Sequence, residues 1–331
     1  MKKLYLFLAA LAVSVCALAQ QNQVVWQNGR AMYASPVPSM DSITFSADVA
    51  EMDTLHLLLP RTLVQVVHDT VVLVVRDTIY RCPSPAPLAG VFSVSATQQV
   101  RFSQGNLQYK RSADTWYFAE NQYDMIGFAN VNNGALADKI DLFGWSGDAG
   151  SVAFGIGISE AASDYAGAFL DWGMHFGNGV TWRTMTQNEW DYLLEKRTNA
   201  ASLKGVARID IHQFGFEYAN GLILLPDAWS CPGGITFNSG MGTLDSDAYA
   251  TQQTFTLEQW KLLEAAGAVF LPAAGSRSAA GVGVVQWEGA YWSATSGETE
   301  QAGCMVFFPN EAEVQNYSRS VGNSVRLVQE Y

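Results

Sequence analysis

Thr181-Trp182-Arg183-Thr184-Met185-Thr186-Gln187-Asn188-Glu189-Trp190 is the stretch from which the fold is read. Thr186, with Glu189 three residues on, makes a capping box: each side chain can satisfy the other residue's free backbone N–H. Trp190, Leu193, Leu194 and Arg197 then share one face at helical spacing. Thr256-Leu257-Glu258-Gln259 repeats the device before Trp260, Leu263 and Ala266, and Gly267 is placed to end that helix. Both segments read Thr-x-x-Glu/Gln-Trp-x-x-Leu, so each tryptophan is expected to be a core anchor outside any ligand site.

Around these two helices the sequence predicts short strands at Val91–Ser95, Val100–Phe102, Trp116–Ala119, Leu222–Leu225, Val269–Pro272, Ala290–Thr295, Ala302–Phe308 and Ser324–Gln329. Few helices among many strands give an α+β class. Long irregular connections are expected at Asn130–Asp141, Gly144–Gly157 and Ile235–Tyr249. This domain is expected over residues 89–331. Cys82-Pro83-Ser84-Pro85-Ala86-Pro87 precedes it, and prolines at every second position make a semi-rigid linker over 82–88.

Residues 20–81 read as a β-rich stalk or small N-terminal sheet. Val24-Val25-Trp26 and Ala31-Met32-Tyr33 flank Asn28-Gly29, the pair that favours a two-residue hairpin turn. Val66-Val67-His68-Asp69-Thr70-Val71 recurs eight residues later as Val74-Val75-Arg76-Asp77-Thr78-Ile79. That spacing fits an extended stalk able to self-associate, or two ordinary strands. Residues 1–19 combine Lys2 and Lys3, an apolar run from Leu4 to Val15, and Ala17-Leu18-Ala19, the pattern of a secretory signal peptide. The chain is therefore expected to be exported, to the periplasm, the outer surface or the medium, and not to span a membrane.

The 331 residues carry 19 Lys+Arg against 31 Asp+Glu, a formal charge of −12, and are 49% hydrophobic with 15% charged residues. Losing Lys2 and Lys3 with the leader takes the charge to −14. Such a balance argues against disorder and repels phosphate backbones, so no nucleic-acid partner is expected. Cys82, Cys231 and Cys304 remain after cleavage; Cys231 and Cys304 could pair in an oxidising compartment, or stay as two buried thiols. No cysteine–histidine spacing suits zinc, and no cofactor or metal is expected. His175 and His212 read as structural residues. Gly144-Trp145-Ser146-Gly147-Asp148 lacks the second glycine of a nucleophile elbow.

Recognition chemistry concentrates near the C-terminus. Trp287-Glu288-Gly289-Ala290-Tyr291 leads into a strand, and the next strand alternates Ala302, Cys304, Val306 and Phe308 against Gly303, Met305 and Phe307. A polar loop is expected over Pro309–Arg319, with Tyr317 and Arg319 amid Asn and Gln.

The 181–190 stretch resembles the helix entry of C-type lectin-like domains of the formylglycine-generating-enzyme type. Val269-Phe270-Leu271-Pro272-Ala273-Ala274-Gly275-Ser276-Arg277, Tyr291-Trp292-Ser293-Ala294-Thr295 and Ser324-Val325-Arg326-Leu327-Val328 are similar to the end of such domains in Bacteroidetes surface proteins. Trp26-Gln27-Asn28-Gly29-Arg30 and Asp41-Ser42-Ile43-Thr44-Phe45 resemble N-terminal segments of that phylum's exported proteins. The resemblance covers most of Leu88–Tyr331 and implies a C-type lectin-like fold. Its family holds oxidases, sugar binders and retroelement-diversified ligand binders. The oxidases use a close cysteine pair near the domain's end, where this chain has Cys304 alone. Phe308-Pro309-Asn310 lacks the leading acid of calcium-dependent lectins, and no Trp-Asn-Asp occurs. The expectation is thus a non-catalytic, adhesin-like protein that holds a glycan or protein ligand through Trp287, Tyr291, Glu298, Asn316, Tyr317 and Arg319. An enzyme, oxidase-like or a glycan hydrolase, and a structural surface subunit are the alternatives.

Overall fold

The structure is a computed structural model. It describes the strand backbones of 22–27, 30–36, 43–46, 63–67 and 70–74, and residues 86–176, 182–213, 216–245 and 247–331. The chain divides into two compact units, Met1–Pro83 and Ser84–Tyr331. The expected leader, most of the linker, Cys82 and the second repeat copy beyond Val74 lie outside the described residues.

In the first unit, β1 (Asn22–Gln27) pairs antiparallel with β2 (Arg30–Pro36), and Gln27 opposite Arg30 brackets the Asn28-Gly29 pair. β3 (Ile43–Ser46), β4 (Leu63–Val67) and β5 (Thr70–Val74) form an antiparallel sheet in the order β3-β5-β4. Val66 pairs with Val71, so the first repeat copy doubles back between two strands and is not one continuous extended run.

The second unit is mixed α+β and strand-rich. Its longest pairing joins β14 (Lys204–Gln213) to β15 (Phe216–Leu224), with β16 (Thr254–Thr256) parallel to β14 and β17 (Val269–Pro272) on the far edge of β15. β6 (Phe92–Ser93), β7 (Gln99–Phe102), β13 (Arg183–Thr184) and β23 (Leu327–Glu330) make a second sheet that ties both ends of the unit together. β8 (Leu107–Lys110), β9 (Thr115–Phe118) and β12 (Lys139–Ile140) make a third. Hairpins β10 (Val131–Asn132) with β11 (Ala135–Leu136), and β18 (Ser276–Ser278) with β19 (Gly281–Gly283), decorate it. The C-terminal sheet is β20 (Gly289–Ser296), β21 (Gln301–Phe307) and β22 (Ala312–Ser318), in that order.

Both capping boxes form. Thr186 caps α1 (Gln187–Asp191), which runs on into a π turn over Tyr192–Lys196; Thr256 caps α3 (Leu257–Ala265), and a short α2 (Ala248–Gln252) precedes it. Gly267, at φ +97°, ends α3 as expected. Trp190 and Trp260 are fully buried, in separate apolar clusters. Arg197 is buried with them and uses its whole guanidinium, bonding the carbonyls of Leu193, Leu225 and Leu203 and the Asp227 carboxylate. Among the described residues no helix is long and apolar enough to cross a membrane.

Candidate functional site

The C-terminal sheet alternates as its sequence implies. Ala302, Cys304 and Val306 of β21 join Trp145, Trp172 and Trp292 in one cluster, while Met305 and Phe307 join Trp190 and Tyr291 in another. With both faces of β21 sealed, the exposed residues of this sheet lie at the turn between β20 and β21 and on the outer strand β22. The stretch expected as a polar loop over Pro309–Arg319 is mostly β22, paired residue by residue from Ala312 opposite Phe307 to Ser318 opposite Gln301.

This geometry divides the six residues read from the sequence. Glu298 and Asn316 are exposed, and Tyr317 and Trp287 are half-buried. Tyr291 is completely buried, its hydroxyl donating to Pro272 O at 3.0 Å and accepting from Asn106 at 3.2 Å, so it is a core residue and not a contact residue. Arg319 is also buried: its guanidinium lies 4.3 Å over the Trp145 ring and donates to Gln301 O, Gly167 O and Ser296 Oγ. Its role is to stitch three loops together. Trp287 sits before β20, opposite the end of β21 where Phe307 lies, whereas Tyr317 pairs with Ala302 at the other end, so these two do not share a patch.

Glu298 lies on the turn that reaches Asn316. A Cβ on Gly297 would lie 3.3 Å from Asn316 Oδ1, placing the turn directly against that side chain. Asn316 pairs with Gly303, where a Cβ would stand 2.7 Å from Gln187 Oε1. Glycine there lets the α1 entry seat on the sheet, fixed by Gln187 N donating to Thr295 Oγ1 at 2.9 Å and Gln187 Nε2 donating to Gln315 O at 3.3 Å. Gln187, Thr295 and Asn316 thus border one polar surface beside the turn that carries Glu298, with Tyr317 on the other side of the same strand. Burial pushes the Tyr317 phenol above its ordinary pKa, helped by Glu288, Cys304 and Glu313, so it stays a neutral hydroxyl.

Thr186 and Asn188, flanking Gln187, open onto a groove of about 540 Å³ that the sequence reading missed. It runs between the β6–β7 turn (Ser95, Gln98), the outer face of the first helix (Tyr192, Lys196) and Glu330 of β23. Its floor is an ion cluster. Arg183 meets Glu189 through two bonds of 2.6 and 2.9 Å and Glu330 through a third of 2.7 Å. Burial opposes both charges, but these bonds outweigh it, holding Glu189 below and Arg183 above their ordinary pKa values. Tyr192 lies off the buried Trp190–Leu193–Leu194 stripe; an aromatic on the outer face of a helix is the signal that could have marked the groove.

The cysteines do not pair with each other: Cys231 is exposed and Cys304 is buried, both free. They sit in different settings, Cys304 in the sheet core with its thiol pushed up by burial and by Glu288. His175 stacks on Trp116 at 4.3 Å and packs edge-on to Phe154, and burial lowers it to about 4. Among the described residues no group of three or more His, Cys, Asp or Glu side chains is arranged to hold a metal ion. Comparison with protein-family models, curated proteins and solved structures gives no match.

Proposed function

We propose that this chain is an exported, surface-associated, non-catalytic binding protein, its second unit a C-type lectin-like domain of the formylglycine-generating-enzyme or retroelement variable-protein type. The β-rich N-terminal segment precedes it as small antiparallel sheets. One observation carries the reading: the turn that bears exposed Glu298 lies against exposed Asn316, on a sheet whose central strand is sealed on both faces, with the α1 entry pinned beside it. Gln187, held on the sheet by two hydrogen bonds, is presented to a ligand already ordered, which lowers the entropic cost of association. The ligand is a glycan or a protein, contacted by Gln187, Glu298 and Asn316; Tyr291 and Arg319 hold the scaffold, and Tyr317 packs against the opposite face of the sheet. The Thr-x-x-Glu-Trp helix entry and the Tyr-Trp-Ser-Ala-Thr strand, which carry the family resemblance, meet at this surface through Gln187 and Thr295.

The test is a printed array of glycans and purified glycoproteins probed with the labelled chain, wild type against Glu298→Lys/Asn316→Lys. Binding to at least one feature, lost in the double variant with an unchanged melting temperature, is the expected result. Binding that survives the double variant removes this surface from the account.

A further inference from the structure

We infer that the groove beside the first helix is a second binding site, for a neutral saccharide. The inference rests on the groove's own geometry and does not require the β22 surface. Three polar groups in the groove are unengaged: the amides of Gln98 and Asn188 and the hydroxyl of Tyr192 make no hydrogen bond with any described residue. They come from two separate stretches of chain, yet line one cavity. Its volume of about 540 Å³ lies within the ~300–1,000 Å³ of small-ligand sites.

The charges choose the ligand class. Glu189 and Glu330 are both engaged by Arg183, and Lys196 is engaged by Asp191. A cationic peptide would have to share Glu189 and Glu330 with Arg183, and an anion would face two carboxylates on the groove floor and wall. What remains free is a set of groups that donate and accept at once, beside an aromatic ring. Vicinal hydroxyls match an amide's paired donor and acceptor, and the apolar face of a pyranose matches a phenol ring. The Arg183–Glu189 pair, locked before any ligand arrives, supplies a pre-ordered floor.

Saturation-transfer NMR on the full chain, with the methyl glycosides of glucose, galactose and mannose and with N-acetylglucosamine, tests the assignment. At least one sugar should show transfer; Tyr192→Ala should weaken it about tenfold or more, and Asn188→Ala should weaken it measurably. Tyr192→Phe, which keeps the ring, should retain part of the binding and guards against a loss caused by misfolding. Absence of transfer from all four sugars, or transfer unchanged in Tyr192→Ala, overturns the proposal. Measuring Asn316→Lys alongside separates the two surfaces. Binding lost there but kept in Tyr192→Ala assigns the sugar to the C-terminal hairpin and overturns the groove alone.

Discussion

Asp141 is wholly buried, its carboxylate accepting from Ile126 N and from the Asn130 amide, both at 2.8 Å. Burial raises its pKa to about 6 despite those bonds. The native state therefore keeps a proton that the unfolded chain releases near pH 4. Stability falls as pH rises from about 4 to about 6, by up to about 3 kcal/mol. His175 works in the opposite direction. Its pKa, lowered to about 4, makes the native state release a proton the unfolded chain holds to about 6.5, so this contribution grows as pH rises through that window. Thermal melts from pH 4 to 6.5 should separate them. Asp141→Asn should leave a melting temperature that rises steadily with pH, and His175→Phe should leave one that falls. Parallel profiles for Asp141→Asn and wild type would refute the buried-carboxylate account. At the same scale, Cys231 should react with a thiol reagent in the native protein, and Cys304 only after denaturation. Peptide mapping decides this, and early labelling of Cys304 would mean that the sheet core opens.

The two capped helices were legible because a capping box is local chemistry. Thr256 Oγ1 accepts from Gln259 N at 3.3 Å and Gln259 Oε1 accepts from Thr256 N at 2.9 Å, within four residues of sequence. Thr256→Ala should cost about 1 kcal/mol in urea unfolding. Trp190→Ala should cost about 3–5 kcal/mol, because it empties a fully buried site between the first helix and the C-terminal sheet. Equal costs for the two changes would place Trp190 outside the core. The strands from Val269, Ala290 and Ala302 were equally legible from their apolar runs. β14 is not among the expected strands, although Ala207, Ile209 and Ile211 alternate with Arg208 and Asp210, a period of two whose polar members are charged. The candidate site was half legible. Ala-Glu-Val-Gln-Asn-Tyr-Ser reads as a loop, yet it forms an edge strand paired along one side only, where polar residues are tolerated. Arg319 looked like a contact residue because its partner Trp145 lies far away in sequence. The groove drew its residues from segments around 95, 190 and 330, a juxtaposition only the folded sheets create.

At the scale of the molecule, acidity and surface chemistry act together. A formal charge of −12 repels nucleic acid, so a mobility-shift titration with duplex DNA at low salt should show no complex. Under the proposed function, partners are met by hydrogen bonding and shape, and the two proposed places, the hairpin surface and the groove, lie on elements braced by buried tryptophans. The proposed binding function resides in the hairpin surface. Its most direct test is the dissociation constant of the array ligand for the full chain before and after Glu298→Lys/Asn316→Lys, taken with the melting temperature of each. Affinity is expected to fall tenfold or more at unchanged stability. Unchanged affinity in a folded variant, or chemical turnover of the ligand by the wild-type chain, would contradict the proposed function.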